Sequence, residues 1–414
     1  MDIQSILATI KKEEKRNENF LHLTANEAQM SETARMFLGS KLSERYYFGG
    51  GTNSKIDLGP FTALGYPGIE KLLHQAQEAA KKMLHAESVN LNCLSGVHAM
   101  MCSILSTTQA GDTIMTVKKD SGGHFATAGI LERVGRKQVF AEFDLENLRF
   151  DTKKIAKIFQ DSNATAFYMD VSYYINPHNL REIRQALGEK AIIIYDASHT
   201  MGLIMGGIFQ SPLTEGADVI SANTHKTLPG PQKGMIAFKD KNLGDKANAI
   251  INGCLHSSPH THHLIALATT ILEMKEFGQN YAQQVVQNSN DLAGSLANLG
   301  YEIRKSNTGR YSENHQVHLF TEKIGDYKDL YAKLFNNHLA VNFDQPLGRG
   351  KFIRLGTQEI TRRGMKKKEM QQIAEFLDKS FKGENIKDGV MRFNKTFNKI
   401  YYSFDIIDNQ DIHL

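Results

Sequence analysis

The sequence predicts an α/β protein, with a mostly parallel sheet in a large domain and a smaller α+β domain after it. Between residues 60 and 240, apolar runs alternate with helix-like segments, as where Asn179 to Leu187 is followed by Gly188 and the strand Ala191 to Tyr195. Such alternation is typical of a parallel α/β sheet. Several predicted strands are near-continuous apolar runs, as burial on both faces requires.

The individual elements follow from local patterns. Apolar residues at helical spacing (Ile3, Ile6, Leu7, Ile10) predict an amphipathic helix over residues 2–19 that packs on the protein. Further strands are predicted at Thr113 to Val117, Ala164 to Met169, Asp218 to Ser221, Met235 to Phe238, Tyr301 to Arg304 and Gln316 to Phe320. A last helix is predicted near residues 366–382. We expect three segments: 1–59 with the N-terminal helix and a substrate and interface segment, the large domain 60–275, and the small C-terminal domain 276–414.

Composition excludes several classes of protein. The chain has 414 residues, 41% hydrophobic and 23% charged, which is close to the globular average and unlike fibrous or disordered proteins. The 49 basic and 45 acidic residues leave a net charge of +4, which is too small to indicate a nucleic-acid partner. No run approaches 18 apolar residues, and the charged stretch Lys11 to Glu18 stands where a signal peptide needs an apolar core. We therefore expect no membrane partner.

The three cysteines, Cys93, Cys102 and Cys254, form an odd set without metal-type spacing. Such a set fits a reducing compartment better than a disulfide framework. The expected location is the cytoplasm.

Two residues carry the strongest chemical signal. Asp196 ends the apolar run Ile-Ile-Ile-Tyr-Asp, and Lys226 follows the run that begins at Asp218. Ligands of open α/β sheets bind at the carboxyl ends of strands, so an acid and an amine there can face one cavity. Pyridoxal phosphate needs this pair: a lysine for its Schiff base and a carboxylate that keeps the pyridine nitrogen protonated.

A phosphate cradle completes the pattern. Ser95 and Gly96 precede a helical stretch, Val97 to Leu105, and the free N–H groups at a helix start bind anions. Taken alone, Ser-Gly is usually a helix cap, and most lysines after strands are only solvated. The conjunction of acid, amine and cradle in one domain favours the cofactor.

These residues resemble the serine hydroxymethyltransferase family. The segment Asp218-Val-Ile-Ser-Ala-Asn-Thr-His-Lys-Thr-Leu-Pro-Gly is similar to its lysine-bearing segment, and Asp196-Ala-Ser-His199 to its Asp-x-x-His. Ile353-Arg-Leu-Gly-Thr is similar to its carboxylate-binding arginine segment, and Leu23-Thr-Ala-Asn-Glu-Ala more loosely to its N-terminal substrate segment. The resemblance implies a fold-type I (aspartate aminotransferase-like) transferase, with a seven-stranded sheet in the large, cofactor-binding domain.

The resemblance also implies roles for individual residues. Lys226 would be the Schiff-base lysine, Asp196 the pyridinium partner, His199 a neighbour of the phenolic oxygen, and His124 of Gly-Gly-His the residue that stacks on the ring. Arg354 would bind the substrate α-carboxylate as a bidentate fork. The remaining implied cofactor and substrate contacts are Ser95, Gly96, Ser172, His225, Tyr46, Tyr47, Ser257, Ser258, Asn26 and Glu27. Tyr46 or Tyr47 would reach across the interface of a homodimer with shared active sites.

Two departures from the family bear on the reaction. If Arg45-Tyr46-Tyr47 sets the register without gaps, the family's Tyr-x-Glu reads Phe37-Leu38-Gly39, and the carboxylate that moves a proton in one-carbon transfer is missing. If the register carries a gap, Glu44 takes that place. The family's glycine-rich stretch reads Leu255 to His263, which would bring Ser257 or Ser258 to the phosphate instead.

The expected function is aldol or retro-aldol chemistry at Cα of a β-hydroxy amino acid of the glycine, serine or threonine type. Tetrahydrofolate remains a possible second cofactor, and the departure at Gly39 argues against its use. The alternatives are a pyridoxal phosphate transaldolase, aminotransferase or decarboxylase of a specialised pathway, or a cofactor-binding homologue without turnover.

Four histidines, His256, His260, His262 and His263, raise the question of a metal. No carboxylate stands at a useful spacing, so a pocket rim or an interface is favoured and no metal is expected.

Overall fold

The structure is a computed structural model that describes residues 2–49, 55–57, 62–144, 146–344 and 351–405. It divides into two compact units, a smaller one of residues 1–25 with 284–401 and a larger one of residues 26–283 with 402–414. The first 25 residues group with the C-terminal part because the strand Leu21–His22 pairs in parallel with Leu339–Ala340. The division expected at residues 59 and 275 stays a prediction, and the compact units are divided elsewhere.

The larger unit is built on a seven-stranded sheet. Its strands, β1 to β7 in chain order, are Ser88–Asn90, Thr113–Val117, Lys137–Ala141, Ala164–Met169, Ile192–Asp196, Val219–Asn223 and Gly234–Phe238. Their order across the sheet is β1-β7-β6-β5-β4-β2-β3. Strand β7 runs antiparallel to both neighbours, and the other pairs are parallel. The predicted mostly parallel α/β sheet is confirmed.

Helices connect these strands. The α-helices of the larger unit are Glu32–Met36, Pro67–Leu84, Gly96–Thr107, Thr127–Arg133, Thr152–Asp161, Leu180–Leu187, Met201–Met205, Pro212–Glu215 and Lys241–Ile250, and the long helix Thr261–Asn298 runs on past residue 283. Short 3-10 turns lie at Phe37–Gly39, Lys41–Glu44 and Lys119–Ser121, and a π-helical turn lies at Ile251–Leu255. Two small antiparallel strand pairs join Lys55–Asp57 to Thr62–Leu64 and Phe143–Asp144 to Arg149–Phe150.

Burial on both faces explains why the strands are so apolar. Every residue of β6 and β7 is buried, and Ile114, Ile194 and Ile236, from three different strands of the sheet, lie in one core cluster without solvent exposure. Full burial of each such side chain contributes roughly 1.5–3 kcal/mol. A parallel sheet covered on both faces leaves its strand ends as the places for polar groups.

The smaller unit contains a three-stranded antiparallel sheet. Its strands are β8, Gln316–Phe320, β9, Asn342–Asp344, and β10, Phe352–Gly356, in the order β8-β10-β9. Its helices are Ile3–Glu18, Tyr327–Asn336, Gln358–Arg362, Lys367–Phe381 and Lys387–Lys395. The predicted strand Tyr301 to Arg304 is wrong, because there only Ile303 forms an isolated bridge, to Leu319.

The N-terminal helix differs from the expectation that it packs on the protein. It begins after Asp2, whose side chain accepts a hydrogen bond from Ser5 N, and none of its residues is buried. The apolar residues Ile3, Ile6, Leu7 and Ile10 are 45–63% exposed. Among the residues that the structure describes, no helix combines the length and apolar character needed to cross a membrane.

His178 lies inside an aromatic cluster of the larger unit. Its ring centroid is 4.5–5.7 Å from those of Tyr174, Phe143, Phe150 and Tyr195. Burial lowers the pKa of His178 from 6.5 to about 3. The unfolded chain therefore binds a proton between pH 6.5 and 3 that the folded protein excludes, and this opposes folding as the pH falls.

We expect His178→Phe to reduce acid destabilisation. One pKa unit corresponds to about 1.4 kcal/mol. Between pH 7 and 4.5 the free energy of unfolding should therefore fall in both proteins, and the fall should be smaller in the variant by on the order of 2–3 kcal/mol. Urea unfolding across this range measures the difference, with the exposed His74→Gln as control. Parallel pH profiles for His178→Phe and the parent would contradict the assignment.

Candidate functional site

A cavity of about 300 Å³ lies at the carboxyl ends of β4, β5 and β6. The residues that follow these strands enter its wall, because parallel strands present their carboxyl ends at one edge of the sheet. Eight of the predicted site residues line it: Ser95, Gly96, His124, Ser172, Asp196, His199, His225 and Lys226. We call this cavity the Lys226 pocket.

The lysine and a histidine are in direct contact. Lys226 Nζ lies 3.1 Å from His199 Nε2. The two loops that carry them are joined by Thr227, whose hydroxyl donates to His199 O at 2.8 Å. Their backbones approach so closely that a Cβ on Gly202 would lie 2.1 Å from Thr227 O. The loops after β5 and β6 thus hold the amine and the imidazole as a pair.

Asp196 is held by its own strand neighbours. Its Oδ2 accepts a hydrogen bond from the Tyr168 hydroxyl at 2.6 Å, and its Oδ1 accepts from Ser198 N at 2.8 Å. Burial, and after it the charge of Asp196, raises the pKa of Tyr168 well above its usual value. Tyr168 therefore keeps its proton and donates it to the carboxylate.

The start of the helix Gly96–Thr107 forms a cradle in the same pocket. Ser95 caps the helix, and its Oγ accepts from His98 N at 3.1 Å. A Cβ on Gly96 would lie 2.8 Å from Asn223 Cβ, so a larger residue would displace the neighbouring strand end. The unpaired N–H groups of a helix start and the serine O–H are donors for an anion.

Two further histidines of the pocket have lowered pKa values. Burial lowers the pKa of His124, against the charge of Asp196, and the charge of Lys226 lowers it further. Burial and Lys226 lower the pKa of His225 to about 4, against the charge of Glu27. Both imidazoles are neutral at pH 7. Among the described residues, His225 Nδ1 is buried without a hydrogen-bond partner.

Four of the predicted cofactor contacts do not line the Lys226 pocket. Tyr47 and Ser257 line a second cavity of about 1090 Å³, together with Glu70 and His256. Burial, followed by the charge of Glu70, raises the pKa of Tyr47 to about 12. Tyr46 is 60% exposed, and Ser258 is half-buried outside the wall of the Lys226 pocket.

The segment with Asn26 and Glu27 is exposed and lies beside His225. Ala28 N donates to His225 O at 3.0 Å, and the carboxylate of Glu27 acts on the pKa of His225. Both side chains are exposed to solvent.

Arg354 belongs to the smaller unit. It lies in the middle of β10, in register with His318 of β8 and Asn342 of β9, and is 6% exposed. Cross-strand partners share one face of a sheet, so these three residues form a polar row. Their neighbours Ile353, Leu355, Val317 and Leu319 lie in the hydrophobic core cluster. Arg354, the candidate for carboxylate binding, thus lies on a buried polar face of this sheet.

Tyr168 and Asp170 are among the residues of the Lys226 pocket that sequence reasoning missed. Asp170 directly follows β4, and the same strand-end rule that selected Asp196 applies to it. In the sequence, Tyr168 is one of several apolar residues of a predicted strand and carries no sign of a site. Its hydroxyl reaches Asp196 only because β4 pairs with β5.

A group of potential metal ligands was also missed. Among the described residues, Cys93, His98 and Cys102 bring their ligand atoms within 4.8 Å of one another. His98 Nδ1 accepts from Leu94 N at 2.9 Å, so its Nε2 carries the proton and donates to Leu255 O at 2.8 Å. Both nitrogens are engaged, and the imidazole offers no lone pair to a metal.

The Lys226 pocket fits pyridoxal phosphate. It offers an amine, a carboxylate with a bound hydroxyl, a helix-start cradle that a Cβ would fill, and the buried Nδ1 of His225. Comparison with a solved structure agrees. The crystal structure of L-threonine transaldolase from Pseudomonas fluorescens in its internal aldimine state superposes with a TM-score of 0.89 at 29% identity, covering 97% of this chain and 94% of that chain. The protein is a pyridoxal phosphate-dependent enzyme of fold type I.

The sequence comparisons give the family. The serine hydroxymethyltransferase family model matches residues 1–377, and the serine hydroxymethyltransferase of Methanocella arvoryzae is 33% identical over 98% of this chain and 97% of its own. The fluorothreonine transaldolase of Streptantibioticus cattleyicolor is 32% identical over 91% of this chain and 60% of that protein. The chain belongs to the serine hydroxymethyltransferase family, and the predicted family, fold type, cofactor and aldol-type transferase chemistry are confirmed.

Proposed function

We propose that the protein cleaves and forms the Cα–Cβ bond of a β-hydroxy amino acid of the threonine type, with an aldehyde rather than tetrahydrofolate as acceptor. The observation that carries the proposal is the meeting of Lys226, His199, Asp196 and His124 around one small cavity. These residues supply an amine, a proton acceptor, a fixed negative charge and a flat ring. Their combination suits chemistry at Cα of an amino acid.

Several residues of the pocket have a role in the proposal. Lys226 would hold the cofactor, and the helix start at Gly96, with Ser95 and His225, would bind its phosphate. Asp196, held by Tyr168, would keep the pyridine nitrogen protonated, and His124 would cover the ring. When bound, pyridoxal phosphate takes up the electron pair of the broken bond at Cα.

The contacts of Lys226 indicate which side chain could move protons in the pocket. Lys226 Nζ lies 3.1 Å from His199 Nε2, so an imidazole with a free lone pair on Nε2 would receive a proton from the amine and return it. In retro-aldol cleavage the β-hydroxyl loses its proton, the Cα–Cβ bond breaks and an aldehyde leaves. In the reverse direction the Cα of the glycyl unit adds to the carbonyl carbon of a second aldehyde, and the new alkoxide takes up a proton.

Arg354 would bind the α-carboxylate of the substrate, and Asn26 and Glu27 would contact its polar groups. A guanidinium forms two parallel hydrogen bonds to a carboxylate, which an ammonium cannot copy. The buried position of Arg354 on β10 favours such a fixed fork.

We expect Arg354→Lys to weaken amino-acid binding by about 1.5–3 kcal/mol, the range for hydrogen bonds to charged groups. Spectral titration of the holoenzyme with glycine measures it, with Arg310→Lys as a control, because that side chain is 52% exposed. An unchanged titration in Arg354→Lys would remove this role.

The 3-10 turn Phe37–Gly39 bears on which molecule accepts the glycyl unit or the one-carbon group. In the ungapped register Gly39 stands where the family carries a carboxylate, and Glu44 of the next turn is exposed. A missing proton carrier of this kind commonly costs 10² to 10⁴ in rate, roughly. Folate-dependent hydroxymethyl transfer is the second candidate, and it is favoured by the similarity to the serine hydroxymethyltransferase of Methanocella arvoryzae.

The acceptor is tested by comparing threonine with an aromatic aldehyde against serine with tetrahydrofolate. We expect a new β-hydroxy amino acid in the first mixture and little effect of tetrahydrofolate in the second. If tetrahydrofolate accelerates serine turnover a thousandfold, about 4 kcal/mol of barrier, the aldehyde proposal fails. A keto acid or carbon dioxide as product would instead indicate an aminotransferase or a decarboxylase, and an amino-acid screen without any turnover would indicate a cofactor-binding homologue.

The proposal includes a homodimer in the cytoplasm. Tyr47 and Ser257 line a cavity other than the Lys226 pocket of their own chain, which suits a role toward a partner's cofactor. The exposed apolar residues of the helix Ile3–Glu18 also suit burial against a second copy. The buried thiols Cys93 and Cys102 are free, as a reducing compartment would keep them.

Subunit mixing tests the shared site. If Tyr47→Phe and Lys226→Ala are each inactive, a mixture should regain up to about a quarter of the activity, since two-fold contacts are reciprocal. A monomer in sedimentation analysis that carries full activity would contradict the dimer.

A further inference from the structure

Asp170 is a buried acid to which no role has been given. It directly follows β4, lines the Lys226 pocket and is 2% exposed. A buried carboxylate is costly unless several donors compensate it. Its surroundings therefore indicate what it does.

The carboxylate of Asp170 joins three parts of the larger unit. Oδ1 accepts from Val117 N, at the end of β2, at 3.2 Å. Oδ2 accepts from His124 N at 3.2 Å and from the Thr127 hydroxyl at 2.6 Å. One side chain thus ties a strand end, the His124 loop and the first residue of the helix Thr127–Arg133.

The loop before His124 is fixed on its other side by backbone contacts. Gly122 has a φ of 99°, and its carbonyl accepts from Ser172 N at 2.8 Å. A Cβ on Gly123 would lie 2.2 Å from Val117 O. The backbone of His124 itself is bound at two points: its carbonyl accepts from Thr127 N at 3.3 Å, and its amide donates to Asp170.

The choice of an acid at this position is specific. Burial raises the pKa of Asp170 to about 7, and Asp196 raises it too, against the hydrogen bonds from Thr127, Val117 and His124. An asparagine would fill the same volume without a charge. Its amide, however, accepts at only one end, whereas backbone N–H groups approach Asp170 at both ends.

We propose that Asp170 is a positioning residue, whose carboxylate fixes the backbone of His124 and thereby sets where the imidazole of His124 stands in the Lys226 pocket. The inference rests on the proposed function, in which that imidazole covers the cofactor ring. It concerns the orientation of a group toward the ring and not contact between Asp170 and the substrate.

The test is a double-variant cycle on the holoenzyme with Asp170→Asn, His124→Ala and their combination. The readouts are the visible circular dichroism of the bound cofactor, its dissociation constant, and kcat against KM. We expect Asp170→Asn to change the dichroic band and to lower kcat by about 100-fold at nearly constant KM, since a misplacement of about 1 Å costs roughly that factor. In the His124→Ala background, the same substitution should change each readout less than twofold.

The cycle separates positioning from an effect of charge. Asp170 also acts on Asp196, and loss of that influence would persist after His124 is removed. Equal effects of Asp170→Asn in both backgrounds, or an unchanged dichroic band, would overturn the proposal. Asp151→Asn is the matched control, because Asp151 also accepts two backbone N–H groups but lies outside the wall of the pocket.

A second pair of variants covers the case in which Asp170→Asn does not fold. Thr127→Val removes only the hydroxyl donor to Oδ2, and Thr127→Ser retains it. The proposal expects Val to move the dichroic band in the same direction as Asp170→Asn and Ser to restore it, and a silent Thr127→Val would contradict it. Failure of the proposed function would look different: the parent protein would then show no aldol turnover, whatever residue stood at 170.

Discussion

The negative charge of Asp196 is the constraint around which the Lys226 pocket is organised. The carboxylate ends a buried strand, takes hydrogen bonds from Tyr168 and Ser198, and influences the pKa values of His124, Tyr168 and Asp170. A partly buried charge requires donors around it, because an unpaired carboxylate with reduced access to water would become protonated or would destabilise the fold. The hydroxyl of Tyr168 and the backbone amide of Ser198 are such donors.

The sheet explains how residues far apart in sequence reach one cavity. Strands β4, β5 and β6 are parallel neighbours, so Asp170, Asp196 and Lys226 emerge at the same edge although they span 57 positions. The flanking loops are then fixed by close backbone approach, as at Gly123 and Gly202. The buried strands form a rigid core, and the residues that follow the strands carry the reactive groups. In the smaller unit, alternation along β10 gives the same division between Arg354 and its apolar neighbours.

Local patterns predicted most of this fold. Thr113–Val117, Ala164–Met169 and Gln316–Phe320 were predicted with the bounds that the structure has, because each is a short segment in which apolar residues form a run or alternate with polar ones. Tyr301 to Arg304 failed because strand formation depends on a partner along its whole length, and only Ile303 forms a bridge. The pairing of Leu21–His22 with Leu339–Ala340 joins segments more than 300 residues apart, and no local pattern encodes it. Lys226 and Asp196 could be identified from their positions after predicted strands. The roles of Tyr168 and Asp170 could not, because they depend on contacts across the sheet.

Borohydride trapping shows directly whether Lys226 holds pyridoxal phosphate. The purified protein is treated with borohydride, digested, and the lysine that bears the reduced cofactor is identified by mass spectrometry. The account predicts that the modification lies on Lys226, that Lys226→Ala removes it, and that Lys239→Ala, a change at an exposed lysine, leaves it unchanged. A cofactor fixed on another lysine, or on none, would contradict the account.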